Sequence, residues 1–152
     1  MFSTISSILK HKRTARLVST SPSAAVMDAV QTMNHENTGA VLVMEGQKLV
    51  GIFTERDVMV RVVGAKRDPA ITLISEVMTA PVYSVELTWT VERSLRLMSD
   101  RHHRHVPVLE KGQVHGLLSI RDLTDWVIRS QQNDFDGAIR FAKQMGLSNR
   151  RT

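Results

Sequence analysis

The chain contains no cysteine, which excludes disulfides, thiolate metal sites and cysteine nucleophiles. That absence fits a reducing compartment, and a cytoplasmic location is expected. No apolar run approaches the roughly 18 residues needed to span a bilayer. The opening stretch, Met1 to Leu9, is too short and too polar for a signal peptide's apolar region. Also missing are a glycine-rich phosphate loop, an HExxH pair and a nucleophile elbow. Nothing in the spacing of Ser, His and Asp sets a nucleophile beside a base, so no catalytic residue is expected. Aromatic residues make up only 5% of the chain, and Trp89 and Trp126 read as packing or dimer-face residues rather than platforms for nucleic-acid bases.

Acids are missing from both ends. Lys10, Lys12, Arg13 and Arg16 lie in one acid-free segment, and Arg140, Lys143, Arg150 and Arg151 in another. Of the twenty bases these ends take eight, leaving twelve against all fifteen acids in residues 17–139, a balance of 12 − 15 = −3. The pI near 10.1 therefore belongs to the ends and not to the body. A folded nucleic-acid face would carry its bases on the body, so nucleic acid is a disfavoured partner. With 152 residues, 42% of them apolar, the chain is long enough for one compact unit with a sizeable core.

What is present is a repeat. Gly51-Ile52-Phe53-Thr54-Glu55-Arg56-Asp57 recurs as Gly116-Leu117-Leu118-Ser119-Ile120-Arg121-Asp122, at a constant offset in the numbering (122 − 57 = 65). Around it the pattern of elements also recurs. Val26, Ala29, Val30 and Met33 fall on one helical face, and Val91, Ser94, Leu95 and Met98 are the same positions at the same offset. Each helix leads to an apolar strand (Ala40 to Met44; His105 to Leu109), a glycine turn at Gly46 or Lys111-Gly112, and a returning strand (Leu49 to Phe53; Val114 to Leu118). Thr54 and Ser119 then cap a further helix, with Asp57 and Asp122 at the acidic position of a capping box. Short extended pieces at Leu17-Val18 and Val82 to Val85 open the units, and each unit reads β-α-β-β-α. A short amphipathic helix over residues 3–12, carrying Ile5, Ile8 and Leu9, is expected first. A separate helix from Asp134 to Met145, with Phe135, Ala138, Ile139 and Ala142 on one stripe and Gly146 as its stop, is expected last. Residues 14–68 and 75–130 are expected as the two repeats, with 131–152 as C-terminal helix and tail.

Paired units of this length ending in Gly-apolar-apolar-Thr/Ser-x-x-Asp resemble a cystathionine-β-synthase (CBS) domain pair. Val50 to Asp57, Arg104-His105-Val106-Pro107-Val108 and Val77-Met78-Thr79 carry the likeness, which covers roughly residues 14–130. More narrowly, the chain is similar to small stand-alone bacterial proteins made of little beyond one such pair. The resemblance implies a mixed α+β fold with two repeats packed about a pseudo-twofold axis. It also implies a homodimer and adenosine-containing ligands in clefts between the repeats: AMP, ADP, ATP, NAD or S-adenosylmethionine. The hydroxyl beside free helix-N-terminal amides suits an anion, and the aspartate one turn on suits the ribose diol.

Carried over residue by residue, the first cleft joins Ile52, Thr54, Arg56 and Asp57 to Tyr83, Ser84, Arg104 and His105. The second joins Leu117, Ser119, Arg121 and Asp122 to Val18, Thr20, Gly39 and Ala40. Arg104 and His105 offer phosphate neutralisation in the first cleft where the second has Gly39 and Ala40, so the first is expected to bind a phosphorylated nucleotide more tightly. Leu42 stands where many members carry the proline that Pro107 supplies in the second unit. Taken alone, each hydroxyl–acid pair reads first as an unliganded capping box, and Arg56 and Arg121 are equally solvated helix charges. His102, His103 and His105 alternate with cations rather than carboxylates, which disfavours a metal site. A ligand-free dimerisation or protein-interaction module is the alternative of a different class, and the regulated partner is unknown.

Overall fold

The computed structural model describes residues 3–12 and 17–144. In chain order these form α1 (Ile5–His11), β1 (Ser19–Thr20), α2 (Val26–His35), β2 (Ala40–Glu45), β3 (Lys48–Thr54) and α3 (Glu55–Asp57), which runs into a π-helical segment, Val58–Val63. There follow α4 (Ile74–Val77), β4 (Val85–Glu86), α5 (Val91–Arg101), β5 (His105–Glu110), β6 (Gln113–Ser119) and α6 (Ile120–Gln144). The fold is mixed α+β, with two three-stranded sheets, β1-β2-β3 and β4-β5-β6.

The duplication extends to hydrogen-bond register. Ala40 pairs with Thr54 and His105 with Ser119, and both hairpins carry a bulge at the same place, Val43/Met44 and Val108/Leu109. Each sheet adds a two-residue parallel strand, Thr20 beside Val43 and Val85 beside Val108. The paired residues of these opening strands lie slightly later than Leu17-Val18 and Val82 to Val85. Val18 still contributes its carbonyl, which accepts from the Leu42 amide at 3.1 Å. The second hairpin turns on Lys111 and Gly112 at φ 50° and 79°, the pair of positive φ values that a tight two-residue connection demands.

There are two cores, one per repeat. Val26, Met33, Val41, Val43 and Phe53 fill the first, and their counterparts Val91, Met98, Val106, Val108 and Leu118 fill the second. Ser94 stands where the first core has Ala29, and its hydroxyl is satisfied by the Thr90 carbonyl at 3.0 Å, as a buried hydroxyl requires.

Each core is completed by a short helix that precedes the other repeat. Ile74 and Val77 of α4 enter the first core, whereas Ile5 and Ile8 of α1 enter the second. The two dockings are equivalent: Ile74 N donates to Ala24 O and Ser75 N to Pro22 O, while Ile5 N donates to Trp89 O and Ser6 N to Leu87 O. A side chain at Gly51 would meet Met78, and one at Gly116 would meet Leu9. Both glycines thus let a leading helix lie against the returning strand. This exchange relates the halves by pseudo-twofold symmetry and puts a residue just beyond each leading helix, Lys12 or Thr79, at a cleft.

Two expected helices take another form. The segment after Asp57 is π-helical, with Gly64 N donating to Met59 O at 2.8 Å and Arg67 N to Val62 O at 2.9 Å, five-residue spacings both. The corresponding turns of the second repeat belong to α6 and are α-helical. Nor is there a separate helix from Asp134, because α6 runs unbroken from Ile120 to Gln144. Arg129-Ser130-Gln131-Gln132-Asn133 contains neither glycine nor proline, so nothing interrupts the backbone ladder. The side chains of Phe135, Ala138, Ile139 and Ala142, and all of Gly146, lie outside the described residues, as do Arg13, Arg16, Arg150 and Arg151.

Candidate functional site

The first cleft begins where β3 becomes α3. Thr54 is extended (φ −125°, ψ 163°) and caps the helix. Its Oγ1 accepts from Asp57 N at 3.3 Å, while Asp57 Oδ2 accepts from Thr54 N at 2.9 Å and from Thr54 Oγ1 at 3.0 Å. The other oxygen, Oδ1, accepts from the Thr79 hydroxyl at 3.0 Å, with Arg61 Nε 3.6 Å away. Thr79 is held there by a two-way backbone bridge to Ile52 (2.8 and 3.0 Å). Arg61 donates to the carbonyls of Met78 at 2.7 Å and Val77 at 3.4 Å, clamping the loop after α4 to the π-helical segment. Asp57 is left only 6% exposed. A carboxylate has about four acceptor positions. Oδ2 has spent two on the cap, so any diol contact falls to Oδ1 once the Thr79 hydroxyl turns aside.

The opposite wall comes from the second repeat. The Arg101 guanidinium carbon sits 4.4 Å from the Tyr83 ring centroid, and the His103 ring is 5.5 Å from the same ring. Arg104 reaches Glu55 at 3.5 Å. Burial lowers the His103 pKa, the Arg101 charge lowers it further, and Asp57 opposes both. Burial likewise lowers His105, with Glu55 opposing and Arg104 reinforcing. Both imidazoles are therefore poised neutral at neutral pH.

Together these walls enclose a cavity of about 840 Å³. Ile52, Thr54, Arg56, Asp57, Tyr83, Arg104 and His105 all line it, as expected from the sequence, but Ser84 does not. Thr79, Arg61, Arg101 and His103 also line it, although the sequence motifs do not assign them to it. Two signals were available. Thr79 closes the Val77-Met78-Thr79 match, and Arg61 lies one helical turn beyond Asp57.

The second cleft, about 690 Å³, is lined by Val18, Gly39, Leu117, Ser119, Arg121 and Asp122, whereas Thr20 and Ala40 are not at its surface. Ala40 is fully buried. Ser119 and Asp122 repeat the capping box: Oγ accepts from Asp122 N at 3.2 Å, and Oδ2 accepts from Ser119 N at 2.8 Å and from Ser119 Oγ at 2.9 Å. In place of a threonine, Lys12 arrives from just beyond α1. Its Nζ donates to Asp122 Oδ2 at 2.9 Å and to Leu117 O at 2.8 Å. Burial pushes the Asp122 carboxyl up, but the Lys12 ammonium and the Ser119 amide and hydroxyl outweigh it and hold the group below the ordinary aspartate range.

Arg104 and His105 line this cavity as well as the first, with Glu55. Gly39 explains the sharing, since a side chain there would press on Glu55 and His105 at 3.1 Å. The sequence-based reason for unequal clefts, that Arg104 and His105 serve only the first, is thus corrected: they stand between the two. Of the basic side chains, Arg56, Arg61, Arg101, His102 and His103 line the first alone, and Lys12, His115 and Arg121 line the second alone.

Trp89 and Trp126 pack against the second core. Among the described residues no group of three or more His, Cys, Asp or Glu is placed to hold a metal ion, and no helix is long and apolar enough to cross a membrane.

Comparison with known proteins agrees with this architecture. The sequence profile of the CBS domain matches twice, at residues 6–64 and 74–129. The structure is similar to a CBS-domain protein from Burkholderia ambifaria MC40-6, with a TM-score of 0.82 and 37% identity over 85% of this chain and 96% of that one. It also resembles the CBS domain protein PAE2072 from Pyrobaculum aerophilum, complexed with AMP (TM-score 0.70, 26% identity, 79% and 89% covered). The mitochondrial CBS domain-containing protein CBSX3 of Arabidopsis thaliana is 32% identical over 114 residues, and the match spans 72% of this chain but only 55% of that relative's length. With two profile matches over most of its length and two duplicated β-α-β-β-α units, the chain belongs to the CBS-domain family, as one tandem pair of repeats.

Proposed function

We propose that the chain is a non-catalytic sensor of adenosine-containing nucleotides (AMP, ADP, ATP or NAD) that signals to a regulated partner through the shape or stability of a homodimer. The observation that carries this reading is the first cleft: a helix-capping hydroxyl and acid from one repeat face Tyr83, Arg101, His103 and Arg104 from the other across one cavity. The acid suits the ribose diol, and the cations suit a phosphate. The walls are mixed polar and apolar, as a small-ligand cleft requires. The AMP complex of the Pyrobaculum relative supports the ligand class. Asp57 is committed to its cap and to Thr79, which suits a gripping acid rather than one that shuttles protons. The first cleft is the tighter nucleotide site because it alone adds Arg56, Arg61, Arg101 and His103 to the shared Arg104 and His105.

Melting the protein with millimolar AMP, ADP, ATP, NAD or adenosine tests the reading. A ligand at about 100 times its Kd stabilises the bound state by about 2.7 kcal/mol, which at this chain length raises Tm by roughly 5–10 °C. Mass spectrometry of nucleotides retained through purification identifies the ligand. No shift with any adenosine compound would favour the ligand-free interaction module instead. The exposed Val60, Val63 and Ile71 (53%, 68% and 76%) are the surface such a module would use.

A further inference from the structure

Lys12 is not part of either repeat motif, yet its ammonium occupies two polar anchors of the second cleft at once, Asp122 Oδ2 at 2.9 Å and Leu117 O at 2.8 Å. Both anchors are acceptors, so the groups they select are donors: hydroxyls of a sugar or an exocyclic amine. An ammonium presents three such donors from one atom. Its position is built rather than incidental. Ile5 and Ile8 are buried in the second core, and Leu9 lies against Gly116, where an added side chain would come within 3.0 Å of it. The His11 ring meets Trp126 edge-on at 5.2 Å. Lys12 follows directly and is about three-quarters buried, as is Asp122.

We propose that Lys12 is a tethered competitor of the second cleft, so that a nucleotide enters there only by displacing it, and that this one residue sets the order in which the clefts fill. The proposal rests on the nucleotide-sensor reading above. In the first cleft the side chain that α4 brings to the acid is a neutral hydroxyl, Thr79 to Asp57 Oδ1 at 3.0 Å, whereas Lys12 sits on the capping oxygen Oδ2 of Asp122. A ligand hydroxyl replaces that one like for like, whereas a ligand filling the second cleft must displace an ammonium from Leu117 O and from a carboxylate, a pair in which both partners are charged. Displacement releases the end of α1 from the cleft and returns the Lys12 charge to the surface. Filling the second cleft would therefore change the face presented at that end of the molecule.

The test is AMP titration by calorimetry of the full chain as wild type, Lys12→Met, Asp57→Ala and the double variant, with hydrogen exchange at residues 9–12. Methionine keeps the stem packing and removes the charge, and Lys12→Gln provides a second probe should the methionine pack differently. In the Asp57→Ala background, where binding is left to the second cleft, Lys12→Met is expected to tighten AMP roughly five- to tenfold. Saturating AMP should speed exchange at residues 9–12 in the wild type. Unchanged or weaker second-cleft binding in Lys12→Met, or slower exchange at residues 9–12 with AMP, overturns the proposal and makes Lys12 a ligand contact or a structural tie. Absence of AMP binding from every variant overturns the nucleotide reading together with this one, whereas first-cleft binding in the wild type with second-cleft binding that no Lys12 substitution tightens overturns this one alone.

Discussion

The two clefts are built by the same seven-residue motif in the same register, yet their acids are in different states. The Asp57 side chain is 8% exposed and takes a neutral hydroxyl on Oδ1. The Asp122 side chain is 24% exposed and takes a lysine ammonium on Oδ2. The wall that follows is π-helical after Asp57 and α-helical after Asp122. Neither difference comes from the capping box, which is the same in both to within about 0.1 Å. It comes from what each leading helix delivers, Thr79 after α4 and Lys12 after α1, and from Arg101 at the end of α5, which lines only the first cleft. Duplication fixes where an acid stands; the segments outside the motif decide what that acid is free to hold.

The largest expected effect exploits this directly. Asp57→Ala removes two potential charge-assisted contacts to a ribose, each worth about 1.5–3 kcal/mol, so AMP affinity measured by titration should fall roughly 100-fold or more. The same substitution leaves the Thr54 amide and the Thr79 hydroxyl without their acceptor, so a thermal melt checks that the variant is folded, and Asp57→Asn, which keeps the shape, is the second probe. Asp122→Ala should change the dominant binding event by no more than a few-fold. If Asp122→Ala abolishes binding and Asp57→Ala is silent, the order of the two clefts is reversed.

A smaller effect separates phosphate recognition from nucleoside recognition. Arg101 rests on the Tyr83 ring in the first cleft, and Arg56 has no ion-pair partner among the described residues. Arg101→Ala or Arg56→Ala should each weaken AMP about five- to tenfold at low salt while leaving adenosine nearly unchanged. The difference should shrink as salt rises, because exposed charges are screened over about 10 Å at 0.1 M. Equal losses for AMP and adenosine would mean that these arginines hold the walls together rather than the phosphate.

Much of this was legible because a single offset between the repeats governs strands, turns, bulges and caps. A period-2 strand beside a period-3.6 helix leaves little choice of register once the repeat is seen. The docking of α1 and α4 escaped the same reading because it follows another offset. Ile5-Ser6-Ser7-Ile8-Leu9 aligns with Ile74-Ser75-Glu76-Val77-Met78 at 74 − 5 = 69, against 122 − 57 = 65 for the motif. At that offset Thr79 corresponds to Lys10 (79 − 69 = 10), and α1 runs on to His11, so the side chain that reaches the second acid is Lys12. The π-helical segment left no signal either. Val58, Val60, Val62 and Val63 read as an ordinary helix, and the five-residue hydrogen bonds are seen only in the fold. The unbroken α6 has a simpler reason: a change in the apolar stripe does not end a helix where the backbone meets no breaker.

The smallest effect is a matter of protons, and its sign follows from the two lowered imidazoles. His103 is held down by burial and Arg101, with His102 reinforcing and Asp57 opposing. His105 is held down by burial, with Arg104 and Lys12 reinforcing and Glu55 and Asp122 opposing. A histidine whose folded pKa lies below its unfolded value of about 6.5 binds fewer protons folded than unfolded. It therefore lowers stability progressively as pH falls through that value towards the folded pKa. A phosphate placed beside these rings favours their charged forms and raises both values. AMP binding between pH 8 and 6.5 should then take up protons, and affinity should rise a few-fold as pH falls across that window. Calorimetry in buffers of different ionisation enthalpy reads the uptake directly. A fraction of a proton per AMP is expected, with none for adenosine. His103 lines only the first cleft whereas His105 lines both. His103→Gln should therefore reduce the uptake at the first cleft and leave that at the second intact, while His105→Gln should reduce both. Uptake that is the same for AMP and adenosine would sever the imidazoles from the phosphate and leave its recognition to the arginines.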